Sequence, residues 1–157
     1  MDTKNVIFIP AKEKPSSRPA HPQAPLGSQE APLRVALYCY ASERRTVIGS
    51  PQSMEARLRD FVESRPNWKV VAVYCDIKNE TKRDNLDQMI SDAAFGRFDL
   101  IVTQHISQLG KDGSTTVTLI RKLASLPKPV GVYFVSEQLY SLNKETAHLL
   151  SLIGDIQ

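Results

Sequence analysis

Short apolar runs, each followed by a polar loop, recur along the chain after residue 33. The runs are rich in Val, Ile, Leu, Phe and Tyr and show no polar alternation, which is typical of strands buried on both faces. They predict four strands, at residues 35–40, 70–74, 100–103 and 130–135.

The segments that follow these strands carry apolar residues at intervals of three and four, which indicates amphipathic helices. Serine, asparagine and proline near their ends supply start and stop signals. The helices are predicted from Ser50-Pro51 to near Pro66, from about Asn85 to Gly96, from a Ser114 cap to Pro127, and from an Asn143 cap almost to the final residue.

Strands that alternate with amphipathic helices predict an α/β fold, with a parallel sheet, helices on both faces and right-handed crossovers. Ligands of such sheets bind beyond the carboxyl ends of the strands. A site is therefore expected in the loops after Tyr40, Tyr74, Thr103 and Val135. These loops contain neither a GxGxxG fingerprint nor a Walker sequence, so a dinucleotide-binding protein or a P-loop NTPase loses its main support.

Residues 1–32 differ from the rest because they hold six of the ten prolines, interleaved with Ser, Gln, Lys and Ala. Proline opposes both helix and central strand, so this segment is predicted to be a flexible, proline-rich arm. Residues 33–157 then have the length of one ordinary domain. The apolar content of the chain, 41%, is enough for a sizeable core.

Charge and cysteine content narrow the possibilities only a little. The net charge is +3, from 20 basic and 17 acidic residues, which is too balanced to indicate nucleic-acid binding. Cys39 and Cys75 form no CxxC pair, so we expect reduced thiols and neither a disulfide framework nor a zinc site. No apolar run approaches the ~20 residues of a membrane span, and we expect a cytoplasmic protein without membrane contact.

Residues 33–157 resemble the N-terminal catalytic domain of serine recombinases, the resolvases, invertases and large serine integrases, and most of all the large ones. Six short motifs in the same order carry the resemblance. They are VALYCYAS at 35–42, SMEA at 53–56, NW at 67–68, TKR at 81–83, GRFD at 96–99 and ISQLGK at 106–111.

The resemblance implies a chemistry and a partner. In that family a serine hydroxyl attacks a DNA phosphodiester and forms a phosphoserine link without a metal, so arginines must balance the charge of the phosphoryl group. It implies that Ser42 is the nucleophile, that Arg83 is a phosphate clamp, and that Lys111 keeps a positive charge in place of an arginine. It implies DNA as the partner, a homodimer or a heteromer with another recombinase, and neither cofactor nor metal.

The chain departs from the family pattern at the positions that matter most. Tyr40 stands where the family has an arginine two residues before the nucleophile, and Gln108 replaces another arginine. Lys111 cannot form the two parallel bonds of a guanidinium. The alternatives without a catalytic role are that Ser42 is a turn residue, that Arg83 is a solvated residue at a helix start, and that Tyr40 is a core or rim aromatic.

Three functional hypotheses follow. The first is a recombinase-type domain that is truncated and catalytically impaired, without the full dimerisation helix and the DNA-binding domain of the family. The second is a non-catalytic module that pairs with an intact recombinase. The third is a small nucleotide- or flavin-binding α/β protein, for which the sequence offers no phosphate loop.

Overall fold

A computed structural model describes residues 25, 27–41, 51–78 and 82–143 of the chain. Strands and helices alternate in it as predicted up to the fourth strand. The elements are β1 (Leu33–Ala41), α1 (Pro51–Glu63), β2 (Trp68–Ile77), α2 (Asp84–Ala94), β3 (Leu100–Thr103), a 3-10 turn (Ile106–Gln108), α3 (Gly113–Ala124), β4 (Gly131–Phe134) and β5 (Leu139–Tyr140).

The five strands of the described ranges form one sheet in the order β2-β1-β3-β4-β5. β1 pairs in parallel with both β2 and β3, and β3 pairs in parallel with β4. The predicted parallel sheet is therefore confirmed for four strands. The fifth strand was not predicted: it runs antiparallel to β4, and its two residues are too few to leave a periodic pattern.

The side chains of β1 alternate between two buried clusters. Val35, Leu37 and Cys39 pack in the cluster beneath α1, whereas Ala36 and Tyr38 pack in the cluster beneath α2 and α3. All five side chains are fully buried. Helices therefore cover both faces of the sheet, as predicted, and β1 is a central strand.

The ends of some elements differ from the prediction. The side chain of Asp112 caps α3, because its carboxylate accepts a hydrogen bond from the backbone N–H of Thr115 at 2.7 Å, so the predicted Ser114 cap is wrong. β2 is longer than predicted, since it pairs with β1 as far as Ile77. The proposed Ser50 cap and the helix predicted after Asn143 lie outside the described residues.

The end of the predicted arm contacts the sheet close to the start of β2. The indole N–H of Trp68 donates to the carbonyl of Pro25 at 3.1 Å, and the Asn67 amide donates to the carbonyl of Gly27 at 3.4 Å. A side chain on Gly27 would meet the Asn67 carbonyl oxygen at 2.2 Å, so this close approach requires glycine.

None of the described helices has the length and apolar character needed to cross a bilayer.

Candidate functional site

The carboxyl ends of β1 and β2 bring a tyrosine and an aspartate together. The Tyr38 hydroxyl donates to the Asp76 carboxylate at 2.8 Å, and both residues are buried. Burial raises the pKa of Tyr38 well above its ordinary value of 10, although the Arg83 guanidinium opposes this shift. The phenol therefore stays protonated at neutral pH and can donate to the carboxylate.

Asp76 also fixes the start of α2. Its two carboxylate oxygens accept the backbone N–H groups of Asn85 at 3.1 Å and Leu86 at 2.9 Å. These donors belong to the first turn of the helix and have no partner within it. The buried carboxylate thus joins β1 and the beginning of α2, and it determines where the residue directly before the helix, Arg83, can lie.

Arg83 lies over the carboxyl end of β1. Its Nε and one terminal nitrogen donate to the Tyr38 hydroxyl at 3.1 and 2.9 Å, and that terminal nitrogen also contacts the carbonyl of Gln108. The guanidinium carbon is 3.8 Å from the centre of the Tyr40 ring, a cation–π contact. Arg83 is therefore a packed and hydrogen-bonded residue and not a solvated one, and Tyr40 is a rim aromatic beneath it.

Gln108 is buried where the family resemblance would place an arginine. It is 5% exposed. Its side-chain oxygen accepts from the Thr103 hydroxyl at 3.4 Å, and its amide nitrogen donates to the backbone carbonyl of Tyr40 at 3.4 Å. This neutral side chain therefore links the ends of β1 and β3 and brings no charge to the site.

The two other predicted site residues, Lys111 and Ser42, have no described contact with Arg83. Lys111 follows the 3-10 turn and is exposed, and together with Ser107 and Glu137 it lines an open cavity of about 370 Å³. This loop also lies at the carboxyl end of the sheet, since it follows β3. Ser42, the predicted nucleophile, lies outside the described residues, so only the end of its strand at Ala41 is described.

Sequence reasoning missed Tyr38, which bonds Arg83, Asp76, which holds Tyr38 and the start of α2, and Thr103, which bonds Gln108. One signal pointed to Asp76, because an ionisable residue at the end of a buried apolar run must find hydrogen-bond partners. Tyr38 and Thr103 gave no such signal, since each is indistinguishable from an ordinary strand residue.

Among the described residues there is no group of three or more His, Cys, Asp and Glu side chains able to hold a metal ion.

Several solved structures are similar to this chain. They include the N-terminal catalytic domain of TP901-1 integrase (18% identity, 78% of this chain and 92% of that one, TM-score 0.64) and a resolvase family site-specific recombinase from Streptococcus pneumoniae (18%, 79% and 87%, 0.66). The C-terminal catalytic domain of ISC1926 TnpA, an IS607-like serine recombinase, is also similar (16%, 79% and 78%, 0.55). At these identities the likeness establishes the fold.

Comparison with curated proteins gives no match. The family model described as the resolvase N-terminal domain matches residues 35–157, which is most of the chain and includes both the described site and Ser42. The chain therefore belongs to the resolvase family, the serine recombinases.

Proposed function

We propose that this chain is a serine recombinase-type domain that acts on DNA, and that its strand-cleavage chemistry is severely impaired. The observation that carries the proposal is the environment of Arg83, whose guanidinium is hydrogen-bonded to Tyr38 and Gln108 and stacked on Tyr40. A phosphate at this site would have to compete with those contacts.

The argument rests on how charge is balanced during phosphoryl transfer. Ser42 would attack a phosphodiester and release a 3′-hydroxyl, and without a metal the phosphoryl oxygens need cationic donors. Tyr40 and Gln108 are neutral, and Lys111 offers a point charge in place of a planar fork. By analogy with an oxyanion-hole donor, each lost donor costs roughly 10²–10³ in rate, though such losses need not add.

A second candidate function is supported by the same residues. Gln108 and Tyr40 fill their positions with packed, hydrogen-bonded contacts, so the fold tolerates the loss of the arginines. A recombinase-like domain that keeps its fold while neutral residues replace two of the arginines suits a module that pairs with an intact recombinase and alters its assembly. In both cases we place the chain in the cytoplasm, with DNA and a second recombinase subunit, identical or not, as partners.

A covalent trapping assay tests the main proposal. Supercoiled plasmids that carry the DNA flanking the gene are incubated with the full chain, and a protein–DNA adduct is sought on denaturing gels. Wild type should give an adduct barely above that of Ser42→Ala. The combined variant Tyr40→Arg, Gln108→Arg and Lys111→Arg should raise the adduct by roughly 10²-fold or more.

Lys69→Arg is the matched control, because it makes the same lysine-to-arginine change at the opposite end of the sheet, where Lys69 pairs with Arg34. It should leave the adduct unchanged. An abundant Ser42-dependent adduct from wild type would overturn the impairment. A combined variant that folds yet gives no Ser42-dependent adduct would overturn the catalytic origin of the site.

The pairing hypothesis has a separate test. Purified chain is added to an intact recombinase of the same family, and the complex is sized by light scattering while recombination is timed. A stable heteromer with a changed recombination rate supports the module. Light scattering that shows two separate proteins, together with an unchanged recombination rate, excludes the pairing hypothesis.

A further inference from the structure

The two cysteines of the chain, distant in sequence, are direct neighbours in the sheet. Cys39 on β1 and Cys75 on β2 are register partners in the parallel pair. Cys39 belongs to the buried cluster beneath α1, and Cys75 packs against that same cluster. Both side chains therefore point to one face of the sheet.

The spacing of neighbouring strands suits a covalent link between these residues. Adjacent strands lie about 4.8 Å apart, and disulfides join residues whose Cα atoms are roughly 4.4–6.8 Å apart. Each thiol lies close enough to shift the pKa of the other, and both are free cysteines in the described structure. Register partners on neighbouring strands therefore lie within the Cα separation that a disulfide spans.

The pair is asymmetric in a way that assigns a role to each sulfur. Among the described strands β2 lies at an edge of the sheet and Cys75 is partly exposed, whereas Cys39 lies on a central strand and is fully buried. A hydrogen bond from the Cys39 thiol lowers the pKa of Cys75, and the same interaction together with burial raises the pKa of Cys39. Cys75 is thus the sulfur that a small oxidant can reach and the one that ionises more readily.

We propose that Cys39 and Cys75 form a reversible intramolecular disulfide when the chain meets a peroxide. The Cys75 thiolate attacks one peroxide oxygen, the O–O bond breaks, and hydroxide leaves and takes up a proton as water, which yields a sulfenic acid. The Cys39 sulfur then attacks the Cys75 sulfur, and the S–O bond breaks with release of a second water. Two thiols are oxidised and one peroxide is reduced, and a dithiol reductant reverses the product.

The location of the pair connects it to the candidate site. Cys75 directly precedes Asp76, which holds Tyr38 and the start of α2, and Cys39 lies three residues before Ser42. A disulfide would tie β1 to β2 at this end of the sheet and close the loop that contains α1. Closing a loop of this length should raise the melting temperature by roughly 10 °C, because it restricts the unfolded chain.

The test requires neither DNA nor recombination, so its outcome is independent of the proposed function. The full chain is treated with hydrogen peroxide under native conditions and analysed by intact mass and peptide mapping. Wild type should lose two hydrogen atoms, yield one peptide pair joined through Cys39 and Cys75, and return to the starting mass with dithiothreitol.

Two variants separate the roles of the sulfurs, and circular dichroism checks that each is folded. Cys39→Ala should stop at a Cys75 sulfenic acid that dimedone traps, and Cys75→Ser should leave Cys39 unreacted. A wild-type chain whose Cys75 passes to sulfinic acid without a crosslink would overturn the proposal. So would a crosslink that forms only between two molecules or only in denaturant.

Discussion

Removal of the Asp76 carboxylate should cost far more than removal of an ordinary helix cap. Asp76 is 6% exposed and accepts hydrogen bonds from Tyr38 at 2.8 Å, from Asn85 at 3.1 Å and from Leu86 at 2.9 Å. Asp112 is the matched comparison, since it also caps a helix but is exposed and accepts one such bond from a backbone N–H, at 2.7 Å. The two aspartates differ mainly in burial and in the number of bonds.

The magnitudes follow from those contacts. Loss of an exposed cap costs about 1 kcal/mol, which is the expectation for Asp112→Ala. In Asp76→Ala the hydroxyl of Tyr38 and two backbone N–H groups lose their acceptor, and a buried group left without a partner costs about 1–3 kcal/mol. Because water can enter part of the vacated space, we expect a total of about 3–4 kcal/mol.

Urea unfolding measures both changes. Far-ultraviolet circular dichroism and the fluorescence of Trp68, the one tryptophan of the chain, follow the transition. With a slope of about 2 kcal/mol per molar urea, the midpoint should fall by about 0.5 M for Asp112→Ala and by about 1.5–2 M for Asp76→Ala. Equal midpoint shifts for the two variants would refute the view that Asp76 contributes more to stability because it is buried and accepts three hydrogen bonds.

Two further perturbations test other contacts. Gly110→Ala would place a Cβ 2.7 Å from the backbone nitrogen of Thr116 and 2.8 Å from its Oγ1, so the loop before Lys111 must move. We expect a loss of about 1–3 kcal/mol in thermal unfolding, and an unchanged melting temperature would contradict the clash. Burial raises the pKa of Asp99, but hydrogen bonds from Arg34 outweigh it and hold that pKa below its ordinary 3.8. The stability from this ionised carboxylate is therefore complete above about pH 4 and is lost as the pH falls through the lowered pKa. The difference in unfolding free energy between wild type and Asp99→Asn should shrink over that acid range, and a difference independent of pH would rule out this linkage.

Local patterns predicted the alternation of strands and helices because each element leaves its own signature. A strand buried on both faces is a short apolar run, as in 100–103, and an amphipathic helix repeats apolar residues at three and four, as in α2. Caps were harder, since Asp112 and Ser114 are both good cap residues and only the backbone geometry distinguishes them. The two-residue strand β5 was invisible for lack of length.

The position of Arg83 at the carboxyl edge of the sheet also followed from the sequence, because topology alone brings the loop after β2 to that edge. What holds Arg83 there did not follow. Its contacts depend on Tyr38 and Gln108, which are 45 and 25 residues away, and on the orientation of side chains within a buried cluster.

The sequence by itself determined the fold class and the family likeness, and it predicted the edge of the sheet at which a site is expected, since these depend on periodicity, motif order and chain direction. Only the tertiary structure decided which residues meet. Cys39 and Cys75 are partners because β1 and β2 pair in one particular register, with an irregularity between Val35 and Ala36. A shift by one residue would direct one of the two thiols to the other face of the sheet, and no local pattern specifies that choice.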